Sequence, residues 1–207
     1  MAAAIALADR EGIAAVSTRA VAAAVGTSAT GIYGYFANRD DLLMAMRERL
    51  LGEIYDRLPP DLEPREALLA SALGFRAQAL EHPCLSQIMT QAASQGPATS
   101  AVTTLTLGWL RALGLSGPLM SRAYRQLETF VVGSTLFDFA NQPTHLDSRL
   151  RRMRIAGDQD LNAALASTAD VEAENEIAFA TSLTQLIDGL IAEAPAKHQT
   201  RRRRTPS

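Results

Sequence analysis

Residues 18–36 read TRAVAAAVGTSATGIYGYF, a segment in which a glycine separates two short helical patterns. Ala22 in the first pattern is small enough to let a second helix cross it closely. Gly26 can take the positive φ that a tight turn between two helices requires. The segment therefore predicts a helix-turn-helix. The apolar residues expected to hold its second helix in place recur at helical spacing and are Val21, Val25, Ile32 and Phe36.

The rest of the chain follows the helical period, and we find no convincing strand alternation. A helix is predicted over residues 1–11, and Asn38 is expected to cap a fourth helix. Prolines from Pro59 onward form the clearest boundary. The predicted fold class is all-α, with an N-terminal three-helix helix-turn-helix domain and a larger C-terminal helical domain. Helices of the larger domain are predicted over residues 65–81, 84–93, 98–113, 119–141 and 171–192.

Composition excludes several classes of protein. The chain has 207 residues, of which 47% are hydrophobic and 5% aromatic, a balance typical of a globular protein. A single cysteine, Cys84, excludes an internal disulfide framework and a cysteine-built zinc site. Every long apolar run is interrupted before about 18 residues, and the charged residues 9–11 are unlike a secretory signal. We therefore expect a soluble, cytoplasmic protein with no membrane partner.

The charge distribution gives little overall attraction to nucleic acid. The net charge is −2 at pH 7, and the first 50 residues carry five arginines against five acids. Arg201–Arg204 are interpreted as a solvated tail, with attraction to DNA phosphates as the alternative. The arginines within Arg149–Arg154 are interpreted as a solvated face.

Segments of the first 46 residues also carry a family resemblance. Together they resemble the signature of the tetracycline-repressor (TetR) family, over roughly residues 5–46. The resemblance implies a dimeric transcriptional regulator, usually a repressor, that leaves its operator DNA when a small molecule binds the larger domain. The segments are Thr18-Arg19-Ala20-Val21-Ala22, Val25-Gly26-Thr27-Ser28, Ile32-Tyr33-Gly34-Tyr35-Phe36 and Asn38-Arg39-Asp40-Asp41-Leu42-Leu43.

The resemblance also implies contacts with the DNA backbone. Thr18 and Arg19 begin the second helix, where the family meets that backbone. Tyr33, Tyr35 and Arg39 match positions that commonly contact phosphates. For the two tyrosines the alternative is ordinary packing, and for Arg39 it is an exposed ion pair with a neighbouring acid, which contributes only about 0.2–1 kcal/mol.

The third helix is the candidate reading element. Predicted over residues 28–36, it would be about 13 Å long, comparable to the ~12 Å width of the DNA major groove. Gly31 and Gly34 each cost it about 1 kcal/mol relative to Ala, which favours a flexible or closely approaching helix and leaves a poorly formed one as the alternative. Base reading is expected from Ser28, Thr30 and Tyr35. The candidate DNA-binding residues are Thr18, Arg19, Thr27, Ser28, Ala29, Thr30, Tyr33, Tyr35 and Arg39.

Two long helices predict a homodimer. The helices over residues 119–141 and 171–192 have apolar faces too wide for a single contact. Two such helices from each of two chains would form a four-helix interface, with a deeper monomer core as the alternative.

A small-molecule cavity is expected among the helices between Ala67 and Phe139. A mostly apolar wall with a few amides is typical of such cavities, although plain core packing is the alternative for each residue. The fourth helix joins this region to the DNA-binding part, so we expect it to carry the effect of a ligand. The candidate ligand-binding residues are Phe75, Gln78, Ile88, Met89, Gln91, Trp109, Phe130 and Phe137.

These features predict a domain arrangement. Residues 1–46 are the helix-turn-helix domain, and the fourth helix, over residues 39–57, links it to the larger domain. Residues 58–193 are that larger ligand-binding and dimerisation domain, and residues 194–207 are a basic flexible tail.

Two other classes of function remain open. One is a helical small-molecule-binding dimer that does not bind operator DNA. The other is a small helical enzyme, for which we find no clustered set of titratable groups. Pro83 separates His82 from Cys84, so adjacency alone gives no Cys/His nucleophile, and no metal site or cofactor is expected.

Overall fold

The computed structural model describes residues 1–91, 96–139, 159–160, 163 and 171–195. No strand occurs in these ranges, so the predicted all-α fold class is confirmed. The helices whose bounds they define are α1 (Ala2–Glu11), a 3-10 turn (Ile13–Ala15), α2 (Thr18–Ala24), α3 (Ala29–Tyr33), α4 (Arg39–Asp56), α5 (Pro64–Glu81), α6 (Cys84–Gln91), α7 (Pro97–Ala112), α8 (Gly117–Phe139) and α9 (Val171–Ala192). We call α1, the 3-10 turn, α2 and α3 the head, and α5 to α9 the body.

Side-chain caps begin helices α2 and α4. Ser17 Oγ accepts a hydrogen bond from the Ala20 amide at 3.1 Å, and Asn38 Oδ1 accepts one from the Asp41 amide at 2.8 Å. Each cap satisfies an amide that has no partner within its helix, which typically contributes about 1 kcal/mol. With the exception of α3, the observed helices begin and end within two residues of the predicted bounds.

The third helix is shorter than the sequence predicted. α3 has five residues, so the expected helix over residues 28–36 is wrong. The amides of Tyr35 and Phe36 both donate to the Ile32 carbonyl, at 2.9 and 3.0 Å, so the chain turns tightly after the helix ends. Glycines inside and just after α3 explain the early end, because glycine is the weakest helix former apart from proline.

One of the four residues expected to hold α3 does not do so. Val21 is buried, and Ile32 and Phe36 are partly buried against the core. Val25 is 49% exposed and is therefore not a core residue. It lies beyond the last residue of α2, where the chain is already turning toward Gly26, whose φ is 67°.

α4 extends from the head into the body. Its apolar side chains are buried in one continuous cluster with residues of the head and the body. These side chains are Leu42, Leu43, Met46, Leu50, Leu51 and Ile54.

Arg39, the first residue of α4, is hydrogen-bonded to the head. Its Nε donates to the Val16 carbonyl at 3.0 Å, and its Nη2 donates to the Ile13 carbonyl at 2.7 Å. Both carbonyls belong to the segment around the 3-10 turn. The guanidinium therefore fixes the start of α4 against the head.

The head also contacts the start of α6. Asp9 of α1 accepts a hydrogen bond from the Cys84 amide at 3.1 Å, and its other carboxylate oxygen lies 2.8 Å from His82 Nδ1. Burial raises the pKa of the Cys84 thiol, and a hydrogen bond between the thiol itself and Asp9 raises it further. A thiol held protonated in this way is a poor nucleophile.

α8 and α9 contribute apolar residues to the body core. Leu127 and Val131 of α8 are buried, and so are Phe179 and Leu183 of α9. The rings of Phe130 and Phe179 stack with their centroids 5.3 Å apart. Part of the wide apolar face that the sequence showed is therefore monomer core.

Some predicted features lie outside the described residues. These are the arginines of the 149–154 cluster and the arginines of the tail at 201–204. Within the described ranges, no helix combines the length and hydropathy needed to cross a membrane.

Replacing Arg39 tests its structural role. Arg39→Ala leaves two carbonyls without their donor, so we expect the free energy of unfolding in urea to fall by about 1–3 kcal/mol in the absence of DNA. Arg19→Ala, which removes an exposed arginine of α2, is the control and should change stability by less than about 0.5 kcal/mol. Equal stability of the two variants would contradict the role assigned to Arg39.

Candidate nucleic-acid interface and ligand cavity

The α3 region is presented to solvent. Thr27, Ser28 and Thr30 are exposed. Tyr33 is 50% exposed and Tyr35 is 82% exposed, unusually open positions for aromatic side chains. This end of the head therefore offers hydroxyl groups and aromatic rings that are not used by the core.

Ser28 has a second role within this surface. Its Oγ accepts a hydrogen bond from the Gly31 amide at 3.2 Å and so caps α3. The hydroxyl proton is still free to be donated, because an accepting cap uses only a lone pair. Of Ala29, the first residue of α3, only the backbone is described.

The remaining predicted DNA contacts lie in different surroundings. Arg19 is exposed at the first turn of α2. Thr18 beside it is only 6% exposed, so its side chain faces the head and not the surface. Arg39 is partly buried, and the hydrogen bonds of its guanidinium run to backbone carbonyls of the head. Sequence reasoning considered a phosphate or a neighbouring acid for Arg39, because backbone acceptors leave no mark in a sequence.

An open cavity of about 760 Å³, counted with the open space at its mouth, lies between α4 and the body. Side chains of α4, α5, α6, α7 and α8 line it. A largely apolar wall with a few polar groups is typical of small-molecule sites. Its polar groups are the hydroxyls of Tyr55, Ser71, Thr99, Thr103, Thr106 and Tyr124 and the carboxylate of Glu128.

Two of the predicted ligand residues line this cavity, Phe75 of α5 and Met89 of α6. Ile88, the neighbour of Met89, is fully buried in the core. Gln91 is exposed at the end of α6. The described part of Phe137 is its backbone, so its side chain lies outside the described structure.

The other three candidates have partners elsewhere. Gln78 is buried, accepts a hydrogen bond from Arg57 Nη1 at 3.2 Å and donates one to Glu53 at 3.2 Å. Trp109 stacks on Tyr55 with ring centroids 6.5 Å apart and lines a smaller, separate cavity. Phe130 packs on α9 through its stacked ring. These side chains lie on helices that line the cavity but are not part of its wall.

Sequence reasoning missed the α4 and α7 walls. Leu51, Ile54 and Tyr55 of α4 line the cavity, together with a face of α7. The signal on α7 was present as threonines at positions 99, 103 and 106, a helical spacing. Threonines at this spacing on an otherwise apolar helix indicate a face that needs hydroxyl groups.

The hydroxyls of the cavity are connected to one another. Thr103 Oγ1 lies 3.2 Å from Tyr124 Oη and donates to the Thr99 carbonyl at 3.0 Å. Burial raises the pKa of Tyr55, while hydrogen bonds with Thr106 and Ser71 lower it by less. The phenol of Tyr55 therefore stays protonated near neutral pH and can donate a hydrogen bond.

The described residues hold no cluster of three His, Cys, Asp or Glu side chains suited to a metal ion. The cavity wall includes one ionisable acid, Glu128, which is exposed. The arrangement can bind an apolar molecule and hydrogen-bond to it. It offers no paired acid and base for catalysis within the described wall.

Comparison with known proteins agrees with this geometry. Residues 1–46 match the family described as bacterial regulatory proteins, tetR family, and residues 59–194 match the tetracyclin repressor-like C-terminal domain. The chain is 32% identical over 135 residues to the HTH-type transcriptional repressor DrrR1 of Streptomyces coeruleorubidus, covering 64% of this chain and 49% of that protein. It is 28% identical over 134 residues to an HTH-type transcriptional regulator of Saccharopolyspora erythraea, covering 64% of this chain and 56% of that one. The chain thus spans about half the length of these curated relatives.

Solved structures show the same fold along most of the chain. A possible TetR family transcriptional regulator from Streptomyces coelicolor A3(2) superposes with a TM-score of 0.77 at 28% identity, over 92% of this chain and 96% of that one. The Streptomyces coelicolor TetR family protein ActR in complex with (S)-DNPA superposes with a TM-score of 0.69 at 25% identity, over 94% and 96%. Because the two family matches span residues 1–46 and 59–194, well over half of the chain, the chain belongs to the TetR family of bacterial regulatory proteins.

Proposed function

We propose that this chain is a ligand-responsive DNA-binding transcriptional regulator, acting as a repressor that a small molecule releases from a palindromic operator. The observation that carries the proposal is the exposed α3 surface on a head that α4 connects to an apolar cavity. We propose the domain arrangement that the sequence predicted: a DNA-binding part at residues 1–46, a linking helix, a ligand-binding and dimerisation domain at residues 58–193 and a tail at residues 194–207.

In this proposal the α3 region enters the major groove. Ser28, Thr30 and Tyr35 contact base edges, and Arg19 and Tyr33 contact phosphates. Base contacts determine the sequence read, whereas phosphate contacts fix register and affinity. Thr18, buried in the head, holds α2 in place, and Arg39, hydrogen-bonded to the head, holds the start of α4.

A homodimer presents two heads to the DNA. Dimerisation through α8 and α9 is supported by the part of α9 that the chain's own core leaves uncovered. Ile177 is 59% exposed, and Thr184 and Ile191, which follow it at seven-residue intervals on the same side of the helix, are partly buried. Burying Ile177 and the exposed parts of these two side chains against a second copy would remove apolar surface from water. Two heads then meet half-sites about 34–36 Å apart, or a multiple of that spacing.

The cavity selects an uncharged ligand. None of the described residues that line it is Lys, Arg or His, and its one carboxylate, Glu128, repels an anion. Burying an anion without a positive partner costs several kcal/mol or more. Rings of Tyr55, Phe75 and Tyr124 favour a flat, partly aromatic molecule, and the threonine hydroxyls of α7 favour one with an oxygen on its edge.

A helical small-molecule-binding dimer without operator binding is the second candidate. The five-residue α3 and the balanced charge of the first 50 residues favour it. Selection of bound duplexes from a random DNA library separates the two candidates, because it requires no knowledge of the operator. Enrichment of one palindromic sequence is expected. Equal, salt-dependent affinity for every duplex would contradict sequence-specific binding.

Replacing Arg19 tests the phosphate contacts. Because each phosphate contact contributes about −0.9 to the slope of log K against log salt, Arg19→Ala should make that slope less steep by about 0.9 per subunit that binds. Fluorescence anisotropy with the selected duplex measures the slope. Arg111→Ala, which removes an exposed arginine at the end of α7, is the charge-matched control and should leave the slope unchanged. The same slope change in both variants would show a general charge effect.

Two probes with the same naphthalene ring test the charge preference of the cavity. 2-Naphthol is uncharged at pH 7 and 2-naphthoate is an anion, so isothermal titration calorimetry should show at least about tenfold tighter binding of 2-naphthol, a difference of about 1.4 kcal/mol. Ala72→Phe, which fills the cavity from α5, should abolish 2-naphthol binding. Equal affinities for the two probes, or 2-naphthol binding that survives Ala72→Phe, would contradict the assignment.

A further inference from the structure

A carboxylate of α4 caps the N-terminus of α7. The two oxygens of Glu48 accept hydrogen bonds from the amides of Ala98 and Thr99, and the Thr99 hydroxyl donates to the same carboxylate. The first-turn amides of a helix have no partners inside it, and a negative charge there is favourable. Glu48 therefore supplies from another helix what a local capping side chain would normally provide.

The sequence around the start of α7 is suited to this arrangement. Gly96 at the cap position has no side chain, and Pro97 after it has no amide to satisfy. A Cβ on Gly96 would lie closer to Glu48 Cδ than two non-bonded carbon atoms can approach. Gly96 leaves the space that the Glu48 carboxylate occupies.

This contact lies between the cavity and the head. Thr99 lines the cavity and also bonds to Glu48. Along α4, Glu48 lies between Arg39, which is bonded to the head, and Leu51, which lines the cavity. The first turn of α7 and the middle of α4 are therefore joined at one charged group.

A carboxylate of the head, Asp9, also bonds to the start of a helix, but its partners do not line the cavity. Asp9 of α1 bonds to the Cys84 amide at the start of α6 and to His82. Neither of these partners lines the cavity. Asp9 uses both of its oxygens, as Glu48 does, which makes it a matched comparison.

We propose that Glu48 transmits occupancy of the cavity to the head, and that Asp9 does not. The proposal rests on the proposed function, since it describes how the same cavity acts on DNA binding. A molecule in the cavity bears on Thr99 and shifts the first turn of α7. Because the Glu48 carboxylate is held by amides and a hydroxyl of that turn, α4 moves with it and reorients the head through Arg39.

The coupling can be tested without knowing the ligand, by building an occupant into the chain. Ala72→Phe fills the cavity and should weaken binding to the selected duplex about tenfold, within the range typical of coupled sites. The loss should be the same in an Asp9→Asn background. In a Glu48→Gln background it should be less than about twofold, because the amide of glutamine removes one acceptor and points N–H groups at donors.

A second readout needs no DNA. Hydrogen exchange of the α4 amides, measured by mass spectrometry on peptides covering residues 39–50, should change on Ala72→Phe in the parent and Asp9→Asn chains. It should not change in the Glu48→Gln chain. If the parent chain binds no duplex, the proposed function fails while the exchange data still decide the role of Glu48.

Two further variants guard against loss of folding. Gly96→Ala displaces the Glu48 carboxylate without changing any charge and should reproduce the effect of Glu48→Gln. Val132→Phe fills the same cavity from α8 and replaces Ala72→Phe if that variant unfolds. An effect of filling that persists in both Glu48→Gln and Gly96→Ala, or no effect of filling on exchange in the parent chain, would overturn the proposal.

Discussion

One helix, α4, connects the head to the helices that line the cavity, and the placement of its residues constrains the rest of the structure. At its first residue Arg39 is bonded to carbonyls of the head, and near its end Leu51, Ile54 and Tyr55 form part of the cavity wall. Its apolar side chains are buried between these points. A helix held at both ends and along its length moves as one body, so a shift imposed on α4 through Glu48 reaches the head.

Capping and glycine chemistry made most of the fold predictable from the sequence. Asn38 caps the helix that it was expected to cap, and Gly26 takes the positive φ of the turn. These features are local, because a cap or a turn depends on residues within one or two helical turns. The length of α3 was mispredicted because its apolar spacing was given more weight than its glycines, whereas the glycines determine where it ends.

The cavity was harder to predict because orientation depends on packing between distant helices. Phe75 and Met89 were recognised as lining residues, whereas Gln78 and Trp109 lie on neighbouring faces with partners of their own. The sequence does not show which neighbouring helix an apolar or amide side chain on a buried helix will contact. Contacts made by a side chain to the backbone of another helix, such as those of Glu48, are invisible to any sequence pattern for the same reason.

The exposed α3 surface, offered twice by a dimer, is the central claim, and hydroxyl-radical footprinting of the selected duplex tests it most directly. Two short protected tracts whose centres are separated by one helical turn of DNA, or a whole number of turns, are predicted, related by two-fold symmetry. A single tract, uniform protection of the duplex, or two tracts on opposite faces of the helix would contradict the account.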